Sequence, residues 1–327
     1  MGNFFGSPAK NLIRKNWNKP LLKFFNENLG YKLVYLGLPS PNAEDIMEWI
    51  DYIEYIIAFQ CRDYPKPSAP DQDRTYVIKL ESKILELERQ KKIISGYVYD
   101  GYIEEVIAKG EDNMKVKFSQ DRFITVYNLD FCNQITSPLQ VINHETGEIK
   151  EVYKLHTLRE LLHIQSKKEE ISKKFVMFLT FHSGFWDDEA KSFVESTESA
   201  AIVKYFEKIT SLNGIQKKIR LLKSYLFDTL KNYFRDFNFV PEFLPVINYS
   251  AGKEWLLHFT IIGTSINSVG RVNCPQNTEN FLEQKFITVN NKNKLGFLTN
   301  LSLGETEYDI NSVELFKNSK TFKLYWV

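Results

Sequence analysis

The chain has 327 residues, of which 43% are hydrophobic, and its 42 Lys and Arg nearly cancel its 41 Asp and Glu to leave a net charge of +1. That is enough apolar residue for a buried core, and a composition 25% charged and 14% aromatic excludes a disordered or collagenous chain. No uncharged apolar run approaches the ~18 residues of a membrane helix, Cys61, Cys132 and Cys274 are neither paired nor close, and no G-x-G occurs, which argues against a bilayer span, a disulfide or zinc framework and the glycine-rich phosphate loops.

The first residues carry no apolar leader core, and Ser7 falls one position late for the myristoylation pattern begun by Gly2, so a cytoplasmic protein is expected. Residues 8–28 space Leu12, Ile13, Trp17, Leu21, Leu22 and Phe25 at three- and four-residue steps, which predicts an amphipathic helix that Pro20 should bend or split. A short buried strand is expected at 32–36. Asn42 then reads as the cap of a helix whose first turns hold Glu44, Asp45, Glu48 and Asp51. A second strand follows at 55–59, and Pro65, Pro67 and Pro70 mark a surface loop between Cys61 and Thr75. Val77, Leu80, Ile84 and Leu87 form one stripe of the next helix. Strands at 93–99 and 123–129 flank a short helix at 102–109, and Asp130 to Asn133 are expected at the carboxyl end of the fourth strand. Strand and helix in alternation mean a parallel sheet covered on both faces.

Residues 138–152 read as a hairpin insertion around Thr146-Gly147. A helix near 153–166 leads to a continuously apolar fifth strand at 174–181, and helices are expected at 188–211 and 213–236. Residues 243–249 and 254–262 are strands separated by four residues, too few for a crossover and suited to a hairpin. The remainder, 266–327, is a β-leaning tail of short apolar runs that closes on Tyr325-Trp326 and reads as a cap or interaction module. The five histidines form no H-E-x-x-H and no i, i+4 pair, so no metal is expected.

This order, five β/α units closed by a hairpin, resembles the class I S-adenosylmethionine-dependent methyltransferases over roughly residues 8–265. Four strand ends carry the likeness: Tyr35-Leu36-Gly37-Leu38-Pro39-Ser40, Ala58-Phe59-Gln60, Gly96-Tyr97-Val98-Tyr99-Asp100-Gly101 and Leu129-Asp130-Phe131-Cys132-Asn133. The resemblance implies a three-layer Rossmann-like α/β sheet with a C-terminal β-hairpin over 1–265, plus a small β-rich appendage at 266–327. It further implies S-adenosylmethionine as cofactor. Gly37, Leu38 and Pro39 would form its first turn, Gln60 would receive the ribose, and Asp100 and Gly101 the adenine. Asp130 and Asn133 would orient a substrate amine or hydroxyl as the catalytic pair. Pro39 and Pro41 stand where the family has an acid and several glycines, and Gln60 replaces the usual carboxylate. Gly37 equally suits a post-strand turn, Asp45 a helix start, and Asp130 and Asn133 loop caps.

Between Lys204 and Arg235 eight basic residues meet two acids, and Tyr205, Tyr225 and Tyr233 are interleaved, a pattern that suits nucleic-acid phosphates and bases as well as a solvated helix face. Lys217, Lys218, Arg220 and Lys223 are its candidate contacts with nucleic acid or a protein partner. Residues 44–54 are acidic, and opposed patches of this kind suit partner docking or self-association. Two functions are therefore expected in competition: a methyltransferase acting on nucleic acid or protein, and a catalytically silent domain of the same shape that binds a nucleotide, a nucleic acid or a protein.

Overall fold

A computed structural model describes residues 7–61, 74–142, 148–168, 174–184, 187–212, 214–251, 254–266, 277–284, 286–289 and 295–297. Helix α1 (Pro8–Ile13) starts with proline at its first position and Ser7 Oγ accepting the Lys10 N–H. It passes through a π-helical turn at Arg14–Asn18 into α2 (Lys19–Leu29). The wide turn lies just before Pro20, and one extra residue there relieves the lost hydrogen bond and the ring clash that a proline brings to a helix. The helix is therefore adjusted at Pro20 and not broken.

Next come β1 (Leu33–Gly37), α3 (Glu44–Trp49), β2 (Ile53–Gln60), α4 (Thr75–Arg89), β3 (Ser95–Asp100), α5 (Ile103–Lys109) and β4 (Val126–Gln134). They are followed by β5 (Leu139–Ile142), β6 (Ile149–Val152), α6 (Lys154–Ser166), β7 (Lys174–His182), α7 (Asp187–Ser196), α8 (Ala200–Ile209) and α9 (Gly214–Asp236). The chain ends its described course with β8 (Phe239–Phe243), β9 (Ile247–Ala251), β10 (Glu254–Ser265), α10 (Thr278–Glu283), β11 (Ile287–Val289) and β12 (Leu295–Phe297). It divides into two compact units, Leu21–Phe131 with Ile135–Phe175, and the rest.

In the first unit the strands lie in the order β3-β2-β1-β4, every pair parallel, with helices between consecutive strands. This is the start of the doubly wound order, and the α/β Rossmann-like class is the one expected. All five residues of β1 are buried, as a strand covered on both faces requires. The insertion hairpin exists as a separate β5-β6 pair, Leu139 opposite Val152, while Thr146 and Gly147 lie outside the described residues. Strand β4 starts three residues later than expected and runs to Gln134. Thr125 ends the preceding loop by bonding Val34 from its side chain, Oγ1 accepting the Val34 N–H at 2.7 Å, so the regular ladder begins only at Val126.

In the second unit β9 and β10 form the expected antiparallel hairpin, Ala251 opposite Glu254 through Ile247 opposite His258. Three expectations are corrected here. The strand predicted over 243–249 is two strands, β8 and β9, and β8 pairs with the far end of β10. The helix predicted over 188–211 is broken at 197–199, where Ser199 turns to an extended backbone and its N–H is taken by Thr197 Oγ1. Phe281 and Leu282 lie in a helix, α10, begun by Asn277, whose Oδ1 accepts the Glu279 N–H. Strand β11 then joins β9 in parallel and β12 pairs with β11. The closing residues 298–327, Tyr325 and Trp326 included, lie outside the described residues. Trp17 Nε1 donates to Thr260 Oγ1, and the buried His258 is held between Thr180 Oγ1 and Asn18 Oδ1 against the Phe178 ring.

Candidate functional site

In the first unit the chain winds outward from β1 to β3 and then returns to the other side of β1 as β4, and the carboxyl ends at that reversal are where doubly wound sheets place their ligand crevice. Gly37 lies opposite Asn128 there. The Tyr35 hydroxyl donates to Asp45 Oδ2 at 2.6 Å, and Asn128 Nδ2 donates to the same oxygen at 2.5 Å. Asp45 is fully buried, yet among the described residues its Oδ1 has no hydrogen-bond partner. A left-handed residue, Ala43 at φ 53°, turns the chain so that the first turn of α3 brings Asp45 to Tyr35. The N-cap position is Ala43, which has no side-chain cap; the Glu44 N–H is met from further back by Ser40 Oγ, and Asn42 is exposed. That corrects the capping expectation.

Gly37 has a packing cause. A Cβ there would lie 2.5 Å from both the Asn128 carbonyl oxygen and the Tyr35 hydroxyl, so only glycine lets β4 and the tyrosine come so near. The Leu38 N–H donates to the Asn128 carbonyl at 2.9 Å, and Pro39 is buried beside it. At the end of β2, Gln60 is buried and its amide donates to the Cys61 carbonyl, which leaves its Oε1 as acceptor. At the end of β3, Asp100 is 1% exposed and its Oδ2 accepts Arg74 Nε at 2.8 Å. Arg74 also reaches Glu81 at 3.2 Å. The Asp100 N–H donates to Asp112 Oδ2, and the Gly101 N–H to the Gln60 carbonyl. Arg74 has no sequence signal, because it is one charge at the end of a proline-rich loop and its partner is 26 residues away.

Asp130 and Asn133 lie inside β4 and not in a loop beyond it, so the loop-cap reading is corrected by the strand's length. Asp130 is half-buried, and the Asn133 side chain lies outside the described residues. Sequence reasoning also missed a buried pair near this strand. Lys154 Nζ lies 3.9 Å from Glu104 Oε1, donates to the Ser137 carbonyl and sits 6.0 Å over the Phe131 ring. Burial pushes the Glu104 carboxyl above the usual carboxylate range, with Lys154 opposing. The available hint was a lysine at the first position of α6, the positive end of a helix, where a cation is unfavourable unless an acid faces it.

The basic helix is corrected most. Lys217 and Lys218 are half-buried, but Arg220 is 4% exposed and Lys223 is 1% exposed. Lys223 Nζ donates to the Gln284 carbonyl at 2.8 Å and the Leu282 carbonyl at 3.2 Å, over the rings of Phe281 and Phe286. Arg220 bonds the Gln216 carbonyl and lies over Phe286. These two cations tie α10 and β11 to α9 and are closed to any phosphate. Burial, helped by the Arg220 charge and opposed by Glu283, lowers the Lys223 ammonium to about 7. The signal was available, since Lys223 follows Ile219 by four residues and precedes Leu226 by three, on the apolar stripe itself.

Among the described residues no helix is long and apolar enough to cross a membrane, and no cluster of three or more His, Cys, Asp or Glu could hold a metal ion. No protein-family model matches the chain, and no curated protein matches it. Among solved structures it is similar to EvdMO1, with 12% identity over 79% of this chain and 41% of that one and a TM-score of 0.34. It is similar to PH0793 of Pyrococcus horikoshii, with 9% identity over 77% of this chain and 64% of that one and a TM-score of 0.34. It is likewise similar to an O-methyltransferase from Bacillus cereus in complex with SAH, with 6% identity over 76% and 80% and a TM-score of 0.35. The chain thus spans less than two thirds of the first two proteins.

Proposed function

We propose that the chain is a methyltransferase that takes S-adenosylmethionine at the carboxyl ends of β1, β2 and β3 and acts on a nucleic-acid or protein substrate. The observation that carries the reading is Asp45 Oδ1. A buried carboxylate oxygen without a donor costs on the order of 1–3 kcal/mol or more, and native structures retain few of them. This one has no donor among the described residues and lies beside the carboxyl end of β1, where doubly wound sheets bind ligands, and a ligand ammonium is a donor that suits it. Asp45 in the first turn of α3, the Gln60 Oε1 at the end of β2, and Asp100 at the end of β3, whose oxygens also accept Arg74 and Asn113, are acceptors of the right kind for an adenosyl group with a charged amine.

The bound cofactor would supply an electrophilic methyl group. The chain's own part is orientation, which can account for a large share of a transfer rate. Tyr35 and Asn128 hold one Asp45 oxygen so that the other is aimed, and the half-buried Asp130 is the carboxyl group assigned to position a substrate amine or hydroxyl. A second reading, a silent binding domain of the same shape, is favoured by two contacts: Arg74 on Asp100, and the Tyr35 hydroxyl in the space a Gly37 side chain would need.

Calorimetric titration with S-adenosylmethionine separates the two. Micromolar binding, weakened tenfold or more in both Asp45→Asn and Asp100→Asn proteins that keep the parent melting temperature, is the expected result. No heat at millimolar ligand overturns methyl transfer and leaves the silent domain.

A further inference from the structure

At the opposite end of the first unit, the amino ends of the strands carry two adjoining clefts. One, of 330 Å³, is lined by Tyr31, Lys32, Glu54, Arg122, Phe123 and Lys168. The other, of 360 Å³, shares Lys32 and Glu54 and adds Glu88, Lys91, Lys92 and Ile94. Together they follow the strand order, from Lys91 and Lys92 before β3, past Glu54 at β2 and Lys32 at β1, to Arg122 before β4. Three inter-strand steps of about 4.8 Å make this groove roughly 14 Å long.

Among the described residues five cations line it against three acids, Glu54, Glu88 and Asp121, in a protein whose charges otherwise cancel. Lys32, Lys91, Lys92 and Arg122 are exposed, and Lys168 is half-buried. Of the acids, Glu88 accepts the Gly96 N–H at 2.7 Å and Asp121 is bonded by Ser119 Oγ, so two of the three are engaged by their own chain. The Arg122 guanidinium lies 3.7 Å over the Tyr55 ring, which fixes it at the rim, while Tyr31 is half-buried and Ile94 is 61% exposed. Cations at both ends and in the middle, interleaved with aromatic and apolar faces, are what a single strand needs: phosphates tracked by charge and unstacked bases laid on flat surfaces. Each cleft is a hollow of small-ligand size and can take an unstacked base, which a base-paired duplex cannot offer without opening.

We infer that this groove binds single-stranded nucleic acid through its phosphates, at the end of the unit remote from the crevice and independently of the function proposed above. The inference moves the nucleic-acid surface away from α9, where Arg220 and Lys223 are internal.

The test is fluorescence anisotropy of a labelled oligo-dT 12-mer between 50 and 300 mM salt. Binding should weaken linearly on a log–log plot. The pairs Lys91→Glu/Lys92→Glu and Arg122→Gln/Lys168→Glu should each cost tenfold or more and flatten the slope by about 1.4, the value for two lost phosphate contacts on a single strand. Lys217→Glu/Lys218→Glu on α9 should change nothing. Circular dichroism melts of the same proteins separate lost binding from lost fold, and if either pair melts early, Lys32→Gln alone, at an exposed site, decides. No binding at 50 mM salt, salt-independent binding, or loss confined to the α9 variant overturns the inference. So does equal affinity for a poly-glutamate peptide, and competition by tripolyphosphate at its own equivalent charge concentration would reduce the groove to an anion site only.

Discussion

Asp45 and Lys223 are both fully buried ionisable side chains, and their surroundings differ in one respect. Lys223 has two carbonyl oxygens and two aromatic faces to receive its charge, whereas Asp45 has both of its donors on one oxygen. The lysine has its partners in the fold, and the aspartate lacks one. Because Lys223 is held at about 7, far below the ordinary lysine value near 10.4, the unfolded chain binds the extra proton between those limits. The penalty of burying its charge is therefore fully present below pH 7 and fades as pH rises toward 10. Urea denaturation at pH 6.5 and pH 9 should show the parent protein gaining on a Lys223→Met variant by 1 kcal/mol or more between the two. A pH-independent difference between parent and variant would mean that the carbonyls and rings hold the ammonium charged throughout. From the sequence Asp45 reads as a helix-start acid, since its burial is decided by elements far along the chain, whereas the burial of Lys223 was legible in its place on the apolar stripe and was hidden only by counting it with the surface bases around it.

At the scale of elements, the order of strands and helices was legible because periodicity is local. The stripe of Val77, Leu80, Ile84 and Leu87 is buried in α4, and the hairpin of β9 and β10 follows from a connection too short for a crossover. The boundaries that were missed are those set by single side chains: Thr125 delays β4, Thr197 with Ser199 breaks a helix, and Asn277 starts one. Helix α10 shows what such a cap achieves. It is six residues long, too short to persist alone, and it holds through Phe281, whose ring stacks on Phe227 at 4.5 Å and packs on Phe243 at 5.3 Å. Phe281→Ala should cost about 3–5 kcal/mol in chemical denaturation, the range for deleting a buried ring. A loss under 1 kcal/mol would show that the lysine contacts, Lys223 on the Leu282 and Gln284 carbonyls, Lys208 on Glu283 and Lys231 on Thr278, keep α10 in place without the ring.

At the scale of the molecule, a net charge of +1 and an isoelectric point near 7.6 leave little long-range repulsion between copies at neutral pH. Light scattering at low salt should peak near pH 7.6 and fall by pH 6 and pH 9. A flat profile would mean that local patches of opposite sign, such as the acidic stretch 44–54, and not the net charge, govern association. The crevice was legible as a place, from strand order alone, but its occupants Arg74 and Asn128 were not, because each is brought there by contacts that no local pattern encodes.

A hydrogen bond that joins two distant parts of the chain has a consequence for synthesis. Trp17 donates to Thr260, 243 residues further on. At ~5–20 residues per second, the ribosome delivers that threonine roughly 12–50 s after the tryptophan. During that interval the indole of the first helix is exposed and waiting, and a nascent chain stalled anywhere before residue 260 offers it to chaperones instead.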